Sequence, residues 1–273
     1  MKIRPYRYYL IDLDRTLWDF DSNSEHAIGL LITRNPRLLQ AVTGTGNLKA
    51  SLKDGIENIR KHDVSVENAL HSFFLKYDKL NHQLWALYEA GEMSKEDLRW
   101  KRFHEAFRWY GVDDEDLARK FGEDYLEQMI LENRLMPGAV EMLESIRSSG
   151  GRMAILSNGF KEVQYRKLRG SGIDGFFDAV VVSEEAGCLK PRPGIFAYAV
   201  ERLSGIRRQD NPEAWREAKR QTLMIGDDPV NDILGAQIFG IDQFFYNHKR
   251  TKAISHATYE SQVLPVFSGN FQQ

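Results

Sequence analysis

Residues 8–20 read YYLIDLDRTLWDF. Four apolar residues run straight into two aspartates one residue apart, Asp12 and Asp14, with Thr16 just beyond. Other short apolar runs end in comparable clusters. One is Ser157, Asn158 and Gly159; one is Lys190 within CLKPRPGIF; one is GDDPVND, which carries Asp227, Asp228 and Asp232. Each cluster alone has an ordinary explanation. Aspartate or serine after a strand commonly closes a turn or caps a helix. Asp227-Asp228 could simply open a helix at Pro229, and a lone lysine is usually a solvated one. The combination asks for more. Like charges converging on one edge repel unless a cation joins them. Carboxylate oxygens suit Mg2+, which takes one or two carboxylates, keeps waters and holds a substrate phosphate. These residue types therefore point to a metal and a phosphoryl group at the end of the first strand.

For these side chains to meet, the runs before them must be neighbouring parallel strands. Tyr8–Asp12, Met153–Leu156, Ala179–Val182, Thr222–Ile225 and Gln243–Tyr246 are short, apolar and end at polar residues or glycine, as buried parallel strands do. Helical patterns separate them. In PGAVEMLESIRSSGG (137–151), Pro137 fits the first turn, Gly150-Gly151 can close the end, and Val140, Leu143 and Ile146 are expected on one face. Another helix is expected after Pro193, through GIFAYAVERL. Alternating strands and helices predict an α/β, Rossmann-like fold with a mostly parallel sheet, whose ligands bind outside the carboxyl ends of the strands.

The alternation is interrupted once. Residues 23–134 contain no convincing strand and read as helices, among them 67–91 and 94–111, where Ser94 followed by Glu96 and Asp97 marks a helix start. This stretch is too long for a loop. The expected organisation is an α/β core from residues 1–22 and 135–273 with an inserted all-helical domain, 23–134. Chain crossings are expected near Trp18–Asp21 and Leu135–Pro137. Two further polar stretches, 34–55 and 205–221, read as added loops or short surface helices.

Composition sets the outer bounds. The 273 residues are 42% hydrophobic and 28% charged, an ordinary globular balance. The net charge of −2, from 37 basic and 39 acidic residues, argues against a general binder of nucleic acid polymers or of anionic membranes. No apolar run has the length of a membrane span, and MKIRPYRYYLID lacks the pattern of a signal peptide. A single cysteine, Cys188, excludes an intramolecular disulfide. The expectation is a cytoplasmic protein acting on a small phosphorylated metabolite, with its oligomeric state left open.

DLDRT, LSNG, LKPRPGIF and GDDPVND, in that order, resemble the four motifs of the haloacid dehalogenase-like phosphohydrolases, over a span from the first strand to about residue 246. The helical insertion resembles that superfamily's cap. More narrowly, LWDFDS, LWALYEAGEMSKEDLRWKRF and LSNGF…SEEAGCLKP resemble the pyrimidine 5′-nucleotidase branch. The resemblance implies a Mg2+-dependent phosphomonoesterase. Asp12 would be the nucleophile and Asp14 the general acid and base. Asp12, Asp227 and the backbone carbonyl of Asp14 would hold the metal. Ser157, Asn158 and Lys190 would bind the phosphoryl oxygens. Asp232 would stand behind Lys190 or a metal-bound water, with Asp228 beside it. Two positions depart from the family pattern: Arg15, whose side chain is expected to point away from the catalytic edge, and Asp228, an added carboxylate that could compete for the metal or shift the pKa of a neighbour.

Other enzymes share parts of this pattern. A dehalogenase needs an aspartate nucleophile but neither a second acid two residues on nor a metal cage. A phosphomutase, or a phosphatase of small sugar phosphates, would keep all four motifs. A phosphoacceptor signalling domain carries similar side chains but not an insertion of this size after its first strand. Trp85, Trp100 and Trp109 fall at helical positions and read as packing. Cys188 reads as structural, and His248 as part of a surface loop.

Overall fold

The computed structural model describes residues 3–44, 64–251 and 256–267. Its centre is a six-stranded sheet of β1 (Tyr8–Ile11), β2 (Arg152–Ser157), β3 (Ala179–Val182), β4 (Thr222–Gly226), β5 (Asp242–Tyr246) and β6 (Tyr259–Ser261). The order is β3-β2-β1-β4-β5-β6, and every pair is parallel. The five strands expected from the sequence are present. β6 was not expected, because its residues YES carry no apolar signal; it docks on the sheet edge by pairing with β5.

The strand order is that of dinucleotide-binding folds, and the chain reverses direction across the sheet between β1 and β4. Ile11 is in register with Ile155 of β2 on one side and Ile225 of β4 on the other. Asp12 and Asp227 therefore follow their strands, and Ser157 ends its own, at one edge. All four residues of β1 and all five of β4 are buried, so both strands are apolar throughout rather than alternating.

The chain divides into two compact units. One comprises residues 1–20 and 133–273, the other residues 21–132. The described residues of the second unit form helices, of which α1 (Phe20–Arg34) starts at the boundary. α2 (Pro36–Thr43), α3 (Val64–Ala90), α4 (Lys95–Arg108) and α5 (Glu115–Met129) follow. Asn35 caps α2 and Ser94 caps α4, each accepting from backbone N–H groups of the first turn. The core of this unit is aromatic: Tyr77 stacks on Phe103 at 5.1 Å, and Phe121 and Tyr125 pack against Phe103 at 4.9 and 5.0 Å. Trp100 is buried as expected of a packing residue, whereas Trp109 is 45% exposed. Of the stretch 34–55, residues 45–55 lie outside those described.

The other helices flank the sheet: α6 (Ala139–Ser148), α7 (Lys161–Gly170), the short α8 (Ser183–Ala186), α9 (Pro193–Ser204), α10 (Pro212–Arg220) and α11 (Gly235–Phe239). α6 departs from expectation. It begins after Gly138, whose φ of 82° only glycine adopts readily, so Pro137 lies before the helix. Its buried face is Ala139, Met142, Leu143 and Ile146, and Val140 is exposed. Leu143 and Ile146 are on the expected face, and Ala139 and Met142 complete it in place of Val140. The polar stretch 205–221 contains α10, which buries Trp215 and Ala218 against a cluster with Ile195, Phe196 and Phe239.

Candidate active site

The turn after β1 is built by its backbone. The N–H groups of Leu17 and Trp18 both donate to the carbonyl of Leu13, at 2.9 and 2.8 Å. Arg15 takes φ of 66°, the left-handed region, and donates its N–H to the Trp18 carbonyl at 2.8 Å. The Arg15 guanidinium lies on the Phe20 ring, 4.4 Å from its centroid. Its charge nevertheless acts at the strand ends, where it favours the ionised form of Asp227. Residues 17–19 are paired with the returning chain: Met136 donates to the Leu17 carbonyl at 2.8 Å, and Asp19 to that of Arg134 at 3.0 Å.

Lys190 is the hub. Buried to 4% exposure, its Nζ donates to Asp12 Oδ1 at 2.7 Å and to Asp232 Oδ1 at 2.6 Å. Burial alone would discharge the amine, but the two carboxylates outweigh burial and hold it ionised well above the usual lysine range. Asp232 occupies space left by Gly226, where a Cβ would stand 2.1 Å from its Oδ2. Its second oxygen accepts the backbone N–H of Asp228 at 3.1 Å.

Carboxylate oxygens of Asp12, Asp227 and Asp232 lie within 4.8 Å of one another. Burial and mutual repulsion raise the pKa of each: Asp12 upward despite Lys190, Asp227 well upward, and Asp232 to about 7. Thr16 Oγ1 donates to Asp227 Oδ1 at 3.4 Å. Asp14 is held separately. Lys167 Nζ reaches its Oδ1 at 2.6 Å and Gln164 Nε2 its Oδ2 at 2.8 Å. Four acidic groups (Asp12, Asp14, Asp227, Asp232) stand against three cationic ones (Lys167, Lys190 and, acting from the Phe20 ring, Arg15), an excess of one negative charge when all are ionised. That excess, and carboxylates driven toward protonation, fit a divalent oxygen-loving cation.

Two side chains have other uses than expected. Asn158 does not present its amide to the site: Oδ1 accepts the Lys190 N–H at 2.8 Å, and Nδ2 donates to the Lys190 carbonyl at 3.0 Å. Asp228 caps the π-helical turn Pro229–Leu234, its Oδ1 accepting from Val230 and Asn231, both at 2.8 Å. This is the ordinary helix-opening role open to Asp227-Asp228 in the sequence, and Asp228 is absent from the carboxylate cluster. Ser157 Oγ accepts from Gly159 N at 3.1 Å and from Gln164 Nε2 at 2.7 Å, which leaves its hydroxyl proton to donate. Cys188 is half-buried beside the Ala186 carbonyl, and the His248 ring stacks on Tyr246 at 4.8 Å.

Gln164 and Lys167 were not expected at the site. They lie one turn apart on the inward face of α7, beside Val163 and Leu168, and are 0% and 2% exposed. The available signal was a helix stripe, VQ..KL, in which polar residues occupy positions that apolar ones would fill.

Residues 6–240 match the haloacid dehalogenase-like hydrolase family, and the chain belongs to that family. It is an enzyme of the phosphoric monoester hydrolase class. Among its relatives, YfnB of Bacillus subtilis, a HAD-hydrolase, is 28% identical over 90% of this chain and 86% of its own. A crystal structure of YfnB bound to magnesium superposes with a TM-score of 0.69 at 26% identity, over 96% of both chains. The pyrimidine 5′-nucleotidase YjjG of Escherichia coli is 31% identical over 64% of this chain and 70% of its own. The pyrimidine 5′-nucleotidase PynA of Streptococcus pneumoniae is 26% identical over 93% and 90%. No helix among the described residues is long and apolar enough to cross a membrane.

Proposed function

We propose that this enzyme hydrolyses nucleoside 5′-monophosphates, pyrimidine ahead of purine, through an aspartyl-phosphate on Asp12. The observation that carries the chemistry is the division of the two aspartates of DLDRT: Asp12 is held by Lys190 within the carboxylate cluster, and Asp14 by Lys167 outside it. That division supports a reading in which one carboxylate attacks and the other carries a proton.

Asp12 attacks phosphorus with the oxygen that Lys190 does not hold, and the P–O bond to the leaving group breaks. Asp14 gives its proton to the departing oxygen. A water then attacks the aspartyl-phosphate, Asp14 takes the proton of that water, and the bond to Asp12 breaks to release phosphate. Lys190, the Ser157 hydroxyl and nearby backbone N–H groups neutralise charge on the phosphoryl oxygens. Asp12, Asp227 and the Asp14 carbonyl would hold Mg2+, with Asp232 close enough to orient a coordinated water. The ion, when bound, supplies positive charge against the transferring phosphoryl group.

The base preference is supported by similarity to YjjG and PynA; Trp18 and Phe20, just after the nucleophile, are 0% and 8% exposed with the Lys167 ammonium over both rings, so they pack the chain crossing and offer no stacking face to a base. Preference among bases needs other contacts in any case, since stacking, worth about 1–3 kcal/mol, tolerates any base. The test compares kcat/KM for UMP, dUMP, dTMP, AMP and small sugar phosphates. UMP or a deoxypyrimidine nucleotide is expected at the top. A sugar phosphate ahead of every nucleotide by tenfold, about 1.4 kcal/mol in transition-state binding, would leave a phosphatase that is not a nucleotidase.

A further inference from the structure

The Asp14 carboxylate is gripped at both oxygens by α7. Lys167 Nζ is 2.6 Å from Oδ1 and Gln164 Nε2 is 2.8 Å from Oδ2. One donor per oxygen fixes the plane of a carboxylate as well as its position. The donors are themselves fixed. Lys167 is 2% exposed, and its ammonium lies 4.3 Å from the centroid of the Trp18 ring and 5.3 Å from that of Phe20. Gln164 shares its Nε2 between Asp14 and Ser157 Oγ, tying the second aspartate to the phosphoryl-binding hydroxyl. This contact depends on the residue at 159: a Cβ on Gly159 would stand 2.2 Å from Gln164 Nε2. The glycine of the SNG loop therefore admits the glutamine.

Burying a lysine is a poor way to gain stability. A buried ion pair is often no more stabilising than apolar residues of similar volume, and the pocket here is already lined by aromatic rings. What the pair supplies is direction. Asp14 stands only two residues from Asp12, and a free carboxylate there would be drawn to any cation held by Asp12 and Asp227. A carboxylate turned to the metal cannot pass a proton to the leaving oxygen.

We propose that Lys167, with Gln164, is a positioning residue for the reaction: it holds the Asp14 side chain off the metal-binding carboxylates and aimed at the leaving-group oxygen. The proposal rests on the phosphomonoesterase reading and on the acid–base role of Asp14, and it does not depend on which ester is the natural one. If Lys167 acts through the general acid, its loss must matter most where the leaving group needs a proton. An alkoxide does; 4-nitrophenolate, a stable anion at neutral pH, does not.

The experiment measures kcat and KM of the 273-residue enzyme, Lys167→Met and Gln164→Met on glycerol 2-phosphate and on 4-nitrophenyl phosphate, with Mg2+ present, alongside unfolding curves. Lys167→Met is expected to lose at least tenfold more kcat/KM on the alkyl ester than on the aryl ester, mostly in kcat, and Gln164→Met to show the same split at smaller size. Equal losses on the two esters, or no loss, would overturn the proposal, since a merely structural lysine would affect both alike. Should Lys167→Met fail to fold, Gln164→Met decides: a split supports the proposal and no split overturns it. Wild-type turnover of neither ester would remove the phosphomonoesterase reading and this proposal with it. Turnover of both with the split unmoved would remove this proposal alone.

Discussion

Asn158 closes both backbone hydrogen bonds of Lys190, accepting from its N–H at 2.8 Å and donating to its carbonyl at 3.0 Å, across 32 residues of sequence. The loop after β2 thus sets the backbone from which the Lys190 ammonium reaches Asp12 and Asp232. Replacement of Asn158 by leucine, of similar size, leaves a donor and an acceptor unpaired. The expected cost is about 1–3 kcal/mol in urea unfolding, and kcat should fall as Lys190 loses its register. Wild-type kcat in Asn158→Leu would show that Lys190 is positioned without it.

Asp12→Asn is expected to stop steady-state turnover while the protein stays folded, because an amide is a far weaker nucleophile than a carboxylate. The variant must be fresh and shown by mass not to have deamidated. Turnover near the wild-type rate would exclude Asp12 as the nucleophile.

The excess of buried negative charge predicts that Mg2+ stabilises the protein. At a concentration one hundred times Kd, a ligand specific for the native state adds about 2.7 kcal/mol, which thermal unfolding with and without chelator would register. Chelation should also remove activity, and Mg2+ should restore it. Asp227→Asn should abolish most of the thermal shift. An identical melting temperature in chelator and in Mg2+ would count against the metal site.

Much of this architecture is legible in the sequence because its signals are local. An unbroken apolar run such as Tyr8–Ile11 can be buried only on both faces, so it declares a central parallel strand, and the residue after it inherits the sheet edge. Local pattern says less about a side chain whose partner is distant in sequence. Asn158 reads as a phosphate ligand because it adjoins Ser157; only the fold reveals that Lys190 takes its amide. Asp228 reads as an extra carboxylate because it adjoins Asp227, and the N–H groups of Val230 and Asn231 claim it. Lys167 lies 153 residues from Asp14, and its place on the stripe VQ..KL hints at burial but names no partner. β6 is invisible for a related reason: three polar residues at a sheet edge are held by pairing rather than by burial.

Asp242, the first residue of β5, anchors the N-terminal segment: its Oδ2 accepts from Tyr6 Oη and from Arg4 Nη2, both at 2.6 Å. Burial pushes the carboxyl pKa up, but the hydrogen bonds from Tyr6 and Arg4 outweigh burial and hold it below the ordinary aspartate value. A folded-state pKa below the unfolded one means that the unfolded chain binds more protons in that interval, so stability rises with pH there. The contribution is complete above the unfolded value, near 3.9 by reference, and is lost as pH falls through the lower folded value. Asp242→Asn should therefore destabilise the protein at pH 7 by about 1 kcal/mol, a figure reduced for the partial exposure of the pair. The difference from wild type should hold between pH 7 and 5 and narrow as the pH falls below 4. Urea unfolding of both proteins across that range measures it. A gap that persists undiminished at the acid end would mean that Asp242 acts through shape, with the amide failing to fit, and that its charge contributes nothing.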